Sequence, residues 1–127
     1  MSDKLWEGIK HFSAAEFDSP DVPGSGDLMN IEFVKLLDQL RDRVGFPLHI
    51  TSGYRTPAHN ATLGKAVDGS AHTQGVACDI AISTSGERFA VVFWALEIGI
   101  KRVGMARTFV HLDMDFGKPQ RVLWLYD

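Results

Sequence analysis

His72 and Asp79 stand seven positions apart in Ser70-Ala71-His72-Thr73-Gln74-Gly75-Val76-Ala77-Cys78-Asp79-Ile80, with a glycine between them. A second histidine, His111, follows in Phe109-Val110-His111-Leu112-Asp113. Two neutral imidazoles and one carboxylate are a common protein contribution to a catalytic zinc site whose fourth position is left to water. If the three side chains converge, metal-dependent hydrolysis is the expected chemistry. Each residue alone also has an ordinary structural reading. A histidine in a strand is more often structural than a ligand, and Asp79 suits a hydrogen-bonded buried carboxylate or an exposed one. Arg55, in Ser52-Gly53-Tyr54-Arg55-Thr56-Pro57, joins these residues. An arginine there can fork two hydrogen bonds onto a carboxylate or stabilise an oxyanion. The plain alternative is a surface arginine after a turn.

The surrounding elements must bring these groups together. Val76 to Ile82 reads as a strand, so side chains alternate between its faces. Val76, Cys78, Ile80 and Ile82 then share the core face, and Ala77, Asp79 and Ala81 share the other. Two methyl-sized neighbours leave space around the Asp79 carboxylate. Gly75 permits a bend that bulkier residues resist, and that bend can carry His72 back over Asp79. Cys78 points the other way and reads as a small core residue. In a later strand, Thr108 to Met114, Phe109, His111 and Asp113 share a face.

The remaining elements make a small α+β domain, a mainly antiparallel sheet flanked by helices. Phe33, Leu36, Leu37, Leu40 and Val44 recur at helical spacing from Asn30 to Val44, before a stop at Gly45. Phe46 to Thr51 reads as a strand. Thr56-Pro57 opens a short helix to Leu63. Thr84 and Glu87 form a capping box before a helix from Gly86 to Ile98, and Ser13 and Glu16 form another before a short turn. Lys101 to Met105 and Arg121 to Tyr126 add strands, with a turn at 115–119. The segment from Asp18 to Asp27, rich in proline, glycine and small polar residues, reads as an irregular loop.

At 127 residues, with 45% hydrophobic and 23% charged residues, the chain reads as one domain spanning 1–127 with room for a real core. A net charge of −3 and no basic stripe argue against a nucleic-acid partner. The longest strongly apolar run, Phe89 to Leu96, is too short to insert into a membrane, and the N-terminal residues lack the apolar core of a signal peptide. The single cysteine excludes an intramolecular disulfide. A monomer made in the cytoplasm is expected.

In this order, Ser52-Gly53-Tyr54-Arg55, Ser70-x-His72-x-x-Gly75-x-Ala77-x-Asp79-Ile80 and Phe109-Val110-His111-x-Asp113 resemble the signatures of the zinc D-alanyl-D-alanine carboxypeptidases and related peptidoglycan endopeptidases. Bacteriophage endolysins are among them. The resemblance runs from His11-Phe12 to Trp124. Glu16-Phe17 and Thr56-Pro57-Ala58-His59-Asn60 are similar to phage and prophage members. The resemblance implies a hedgehog/D,D-peptidase fold and zinc (Zn2+) as cofactor, held by His72, Asp79 and His111. It also implies that Arg55 contacts substrate carbonyl or carboxylate groups, and that Ser70 shapes the site or binds substrate. The implied substrate is a peptidoglycan stem peptide containing D-amino acids. The site of action would be the cell wall, reached after release or as part of a virion.

One departure stands out. Several branches carry a glutamate as general base three residues before the last histidine, where this chain has Thr108. Asp113 is the nearest replacement, either as the base or as a partner that orients His111. His49 and His59 are further acid–base candidates. The departure is the feature that favours the rival reading, a domain that zinc merely staples and that binds cell wall or a virion partner. A terminal D-alanine and a cross-link remain equal candidates for the bond that is cut.

Overall fold

The computed structural model describes residues 2–63 and 69–126. Its helices are α1 (Ser2–Leu5), α2 (Ile31–Val44), α3 (Pro57–Ala61) and α4 (Ser85–Glu97), and its strands are β1 (Ile50–Ser52), β2 (Ala77–Ala81), β3 (Arg102–Met105), β4 (Phe109–Asp113) and β5 (Val122–Leu125). Three short 3-10 turns, at Ala14–Phe17, Ser25–Leu28 and Ala71–Gln74, complete the described elements.

The five strands form one sheet in the order β1-β2-β4-β3-β5. All neighbours are antiparallel except β3 and β5. This is the expected α+β architecture, with a mainly antiparallel sheet. Cys78, Ile80, Val110, Leu112 and Val103 line one face and join Phe33, Leu37 and Leu40 of α2 and Val91 and Ala95 of α4 in the buried core. The helices therefore cover this face. Strand alternation turns Asp79 and His111 to the other.

Local chemistry explains where the main helices begin and end. Asn30 caps α2 by accepting from the Phe33 amide at 3.2 Å, and Gly45 closes it with a φ of 79°. The Thr84–Glu87 capping box forms as expected and opens α4. The N-terminal segment is clamped to α2 by a buried carboxylate, since the Lys10 and His11 amides donate to the two oxygens of Asp38, each at 2.9 Å.

The structure differs from the sequence expectation at several boundaries. The strand expected from Phe46 is confined to Ile50–Ser52, where its pairing with β2 carries a register irregularity. Pro47 lacks the N–H a ladder needs. The helix after Thr56 stops at Ala61. The loop from Asp18 to Asp27 is more ordered than its composition suggests. Asp18 accepts from the Gly24 and Gly26 amides, and Ser19 is buried and bridges to Val22.

Candidate metal site

The site begins with a glycine whose place a larger residue could take only with strain. Gly75 has a φ of 73°, and an added Cβ would lie 2.5 Å from the Leu28 carbonyl oxygen. Its own carbonyl accepts from the Asn30 amide at 2.8 Å, which locks the bend against the start of α2. The bend ends the 3-10 turn that carries His72 and places its Nε2 3.5 Å from Oδ1 of Asp79. The expected return of His72 over Asp79 is thus realised through Gly75.

His72 is only 4% exposed. Its Nδ1 lies 2.8 Å from the Gly53 carbonyl oxygen. A carbonyl only accepts, so Nδ1 carries a proton, and the tautomer able to bind a metal presents its lone pair on Nε2. Gly53 can offer that carbonyl because it passes tightly against Phe17, where a Cβ would sit 2.7 Å from the Phe17 Cα.

His111 and Asp79 are paired residues on β4 and β2. Nδ1 of His111 lies 2.9 Å from Oδ1 of Asp79, and its Nε2 donates to Oδ2 of Asp113 at 2.7 Å. One donor atom from each of His72, Asp79 and His111 falls within 4.8 Å of the others, so the three can hold a metal ion. In their metal-binding, neutral form the rings would offer different nitrogens, Nε2 from His72 and Nδ1 from His111.

Asp113 is 1% exposed, and both of its oxygens are engaged. Oδ2 accepts from His111, while Oδ1 accepts from Nε of Arg102 at 2.7 Å and from the Asp115 amide at 3.0 Å. Arg102 in turn donates through Nη1 to the Pro119 carbonyl at 2.7 Å, and its guanidinium lies over the Trp124 ring. This geometry places Asp113 where it can orient His111. The carboxylate sits at the other nitrogen of the ring from Asp79.

Charge follows the same wiring. Burial pushes the Asp79 carboxyl up, but in the metal-free protein donation from the His111 and His72 rings when they carry a second proton outweighs it and holds the group well below the usual carboxylate range. Burial pulls His111 down, and its bonds to Asp113 and Asp79 more than restore it, to above the ordinary histidine value. For Asp113 burial is likewise outweighed, here by His111, the Asp115 amide and Arg102, so it stays ionised at neutral pH. Burial raises the inward-facing Cys78 thiol well above its usual value, which fits a core role.

The other expected residues fall at varying distances from the cluster. Arg55 is half-buried and donates to Asn60 Oδ1 at 3.0 Å and Ser52 Oγ at 3.3 Å. Its amide donates to the His72 carbonyl at 3.1 Å, and its charge interacts with Asp79. The Asp18–Asp27 loop braces this segment: Ser19 Oγ accepts from the Thr56 amide at 3.1 Å, and Thr56 Oγ1 donates to Asp21 at 2.7 Å. Ser70 caps the 3-10 turn, its Oγ accepting from the His72 amide at 3.3 Å. It therefore helps position His72. His49 is exposed, and His59 lies on α3 within electrostatic reach of Asp21; neither joins the metal-binding group. Thr108 is exposed, and its carbonyl pairs with the Ile82 amide.

Three residues around His111 were not anticipated as site residues: Arg102, Trp124 and Tyr126. Their rings and charges sit on the His111 face because β3 pairs with β4 and β5, and Gly104 lies opposite both His111 and Trp124. An arginine inside the otherwise apolar Val103-Gly104-Met105 strand, and Trp124 and Tyr126 at alternate positions, were the available signals.

Two histidines and an aspartate on this scaffold define a metallopeptidase-type site. A family model for peptidase M15 matches residues 9–113, and the chain belongs to that family of zinc D-Ala-D-Ala carboxypeptidase-like peptidases. No curated protein sequence matches the chain. Trp124 and Tyr126 lie beyond the matched residues.

Proposed function

We propose that the protein is a zinc peptidase that cuts peptide bonds in the stem peptide or cross-link of peptidoglycan, in phage or prophage cell-wall degradation. The observation that carries the zinc assignment is the convergence of His72, Asp79 and His111, with each imidazole's other nitrogen already committed to an acceptor. Two nitrogens and a carboxylate oxygen suit zinc, and a fourth position for water suits hydrolysis. Family membership supports the peptidase class. The peptidoglycan substrate and the phage setting rest on the resemblance of the sequence motifs.

Zinc held there supplies a Lewis acid and brings the pKa of bound water to about 7. The chain's own residues do the rest. Gly53 and Ser70 hold His72, and Asp113 holds His111, so that both rings face the metal with the correct nitrogen. Arg55, positioned by Ser52 and Asn60, offers positive charge beside Asp79 and is suited to a substrate carbonyl or carboxylate.

The test is digestion of purified peptidoglycan followed by mass spectrometry of the released fragments. Cleavage that stops with a chelator and returns with zinc is expected, as is its loss in His72→Ala and Asp79→Ala. Full activity in either variant would sink the assignment. The exposed Thr108, where several branches of the family have a glutamate, favours a second reading as a zinc-stapled binding domain. Retention of the protein on cell walls with no bond cut would decide for it.

A further inference from the structure

Tyr126 extends the β5 ladder, its amide donating to the Met105 carbonyl at 2.9 Å. Its ring lies 6.4 Å from the His111 ring and 5.2 Å from that of Phe109, on the metal-site face of the sheet. It reaches this position only because Gly104 has no side chain. A Cβ there would lie 2.6 Å from Cε2 of Tyr126 and 2.6 Å from Nε1 of Trp124. Two aromatic residues therefore lean across the gap at Gly104 toward His111.

The strand order makes this arrangement functional. Asp79 and His111 lie on the middle strands β2 and β4, Arg55 follows β1 at one edge, and Tyr126 follows β5 at the other. Arg55 and Tyr126 are each within electrostatic reach of Asp79 and of one another. The cluster is thus flanked by a guanidinium on one side and a phenol on the other. Tyr126 is 41% exposed, so its ring is not simply core. The Trp124 and Tyr126 rings lie 6.3 Å apart in an edge-on arrangement. A phenolic O–H donates as well as accepts, so the Tyr126 hydroxyl can offer its proton to a substrate oxygen.

We propose that Tyr126 is a substrate-binding residue, its hydroxyl donating a hydrogen bond to a main-chain carbonyl of a peptide laid over the His72–Asp79–His111 cluster, on the side opposite Arg55. This inference rests on the peptidase reading above. A hydroxyl that served only packing would be dispensable, whereas one that holds substrate would not.

The experiment compares wild type with Tyr126→Phe, which keeps the ring and its contacts. Both are loaded with zinc, and the probes are a purified pentapeptide muropeptide and a cross-linked muropeptide dimer, with turnover of either followed by mass spectrometry and binding by calorimetry. A fall of about three- to tenfold in kcat/KM and in affinity is expected, the range for one neutral hydrogen bond, with zinc content and Tm unchanged. Unaltered turnover and affinity in Tyr126→Phe would overturn the inference while leaving the peptidase reading intact. A wild type that binds but does not cut would sink the peptidase reading, and the affinity difference would still decide the role of Tyr126. A wild type that neither binds nor cuts overturns both.

Discussion

Asp113 holds His111 from behind. The 2.7 Å bond from Nε2 of His111 to Oδ2 of Asp113 leaves the opposite nitrogen, Nδ1, facing Asp79. Arg102 fixes Asp113 in turn, so a chain of hydrogen bonds runs from the Pro119 carbonyl through Arg102 and Asp113 to His111. Asparagine at 113 would keep the shape and lose the charge. Asp113→Asn should weaken zinc binding about 10- to 100-fold, the usual cost of losing a carboxylate behind a ligating histidine. It should also lower stability by about 2 kcal/mol, because the buried Arg102 loses its counter-charge. Calorimetric zinc titration and denaturant unfolding check the two effects. Lost turnover with unchanged zinc affinity would instead restore Asp113 as a base.

The proton on His111 competes with metal. Burial lowers its pKa, but Asp113 and Asp79 raise it further, to a net value above the ordinary 6.5. Zinc requires the neutral ring. Zinc affinity should therefore fall as pH drops, through a midpoint above 6.5. The metal-free protein has the opposite sign on this side. A raised histidine pKa gives stability that is present below about 6.5 and lost as pH rises through the folded value. The depressed Asp79 carboxyl gives stability that is present above about 3.9 and lost as pH falls. Melting curves with and without zinc should accordingly diverge as pH rises from 6 to 9.

Gly75 and Gly45 separate backbone strain from crowding. Both have positive φ, but a Cβ at Gly45 meets nothing within 4 Å, whereas one at Gly75 collides with the Leu28 carbonyl. Gly45→Ala should cost about 1–2 kcal/mol and leave zinc binding alone. Gly75→Ala should cost more than that and also displace His72, which zinc titration of the folded variant would register as weakened affinity.

Arg55→Lys keeps a charge and loses the fork. The zinc site should survive, since Arg55 is outside the metal-binding group. Cleavage of muropeptides should drop by about 100-fold if the guanidinium serves the oxyanion. An unchanged rate would assign Arg55 to bracing Asn60 and Ser52 only.

Much of this was legible in the sequence because it depends on local rules. Period-two alternation separated Asp79 from Cys78 and put His111 and Asp113 on one face, as observed. The capping pair Thr84–Glu87 and the stop at Gly45 fixed α4 and α2 closely. The rest depends on contacts distant in sequence. Which nitrogen each imidazole offers is set by the Gly53 carbonyl, 19 residues from His72, and by the choice of Asp113 between two roles. No spacing encodes either. Arg102 reaches Asp113 only because β3 and β4 pair, and Tyr126 reaches His111 only across the side chain Gly104 lacks.

Zinc-edge anomalous diffraction from crystals of the zinc-loaded protein tests the central claim most directly. The account predicts a peak at roughly 2.0–2.2 Å from Nε2 of His72, a carboxylate oxygen of Asp79 and Nδ1 of His111. A zinc peak elsewhere with none among these three residues, or one on Nε2 of His111 with Asp113 as a ligand, would contradict it.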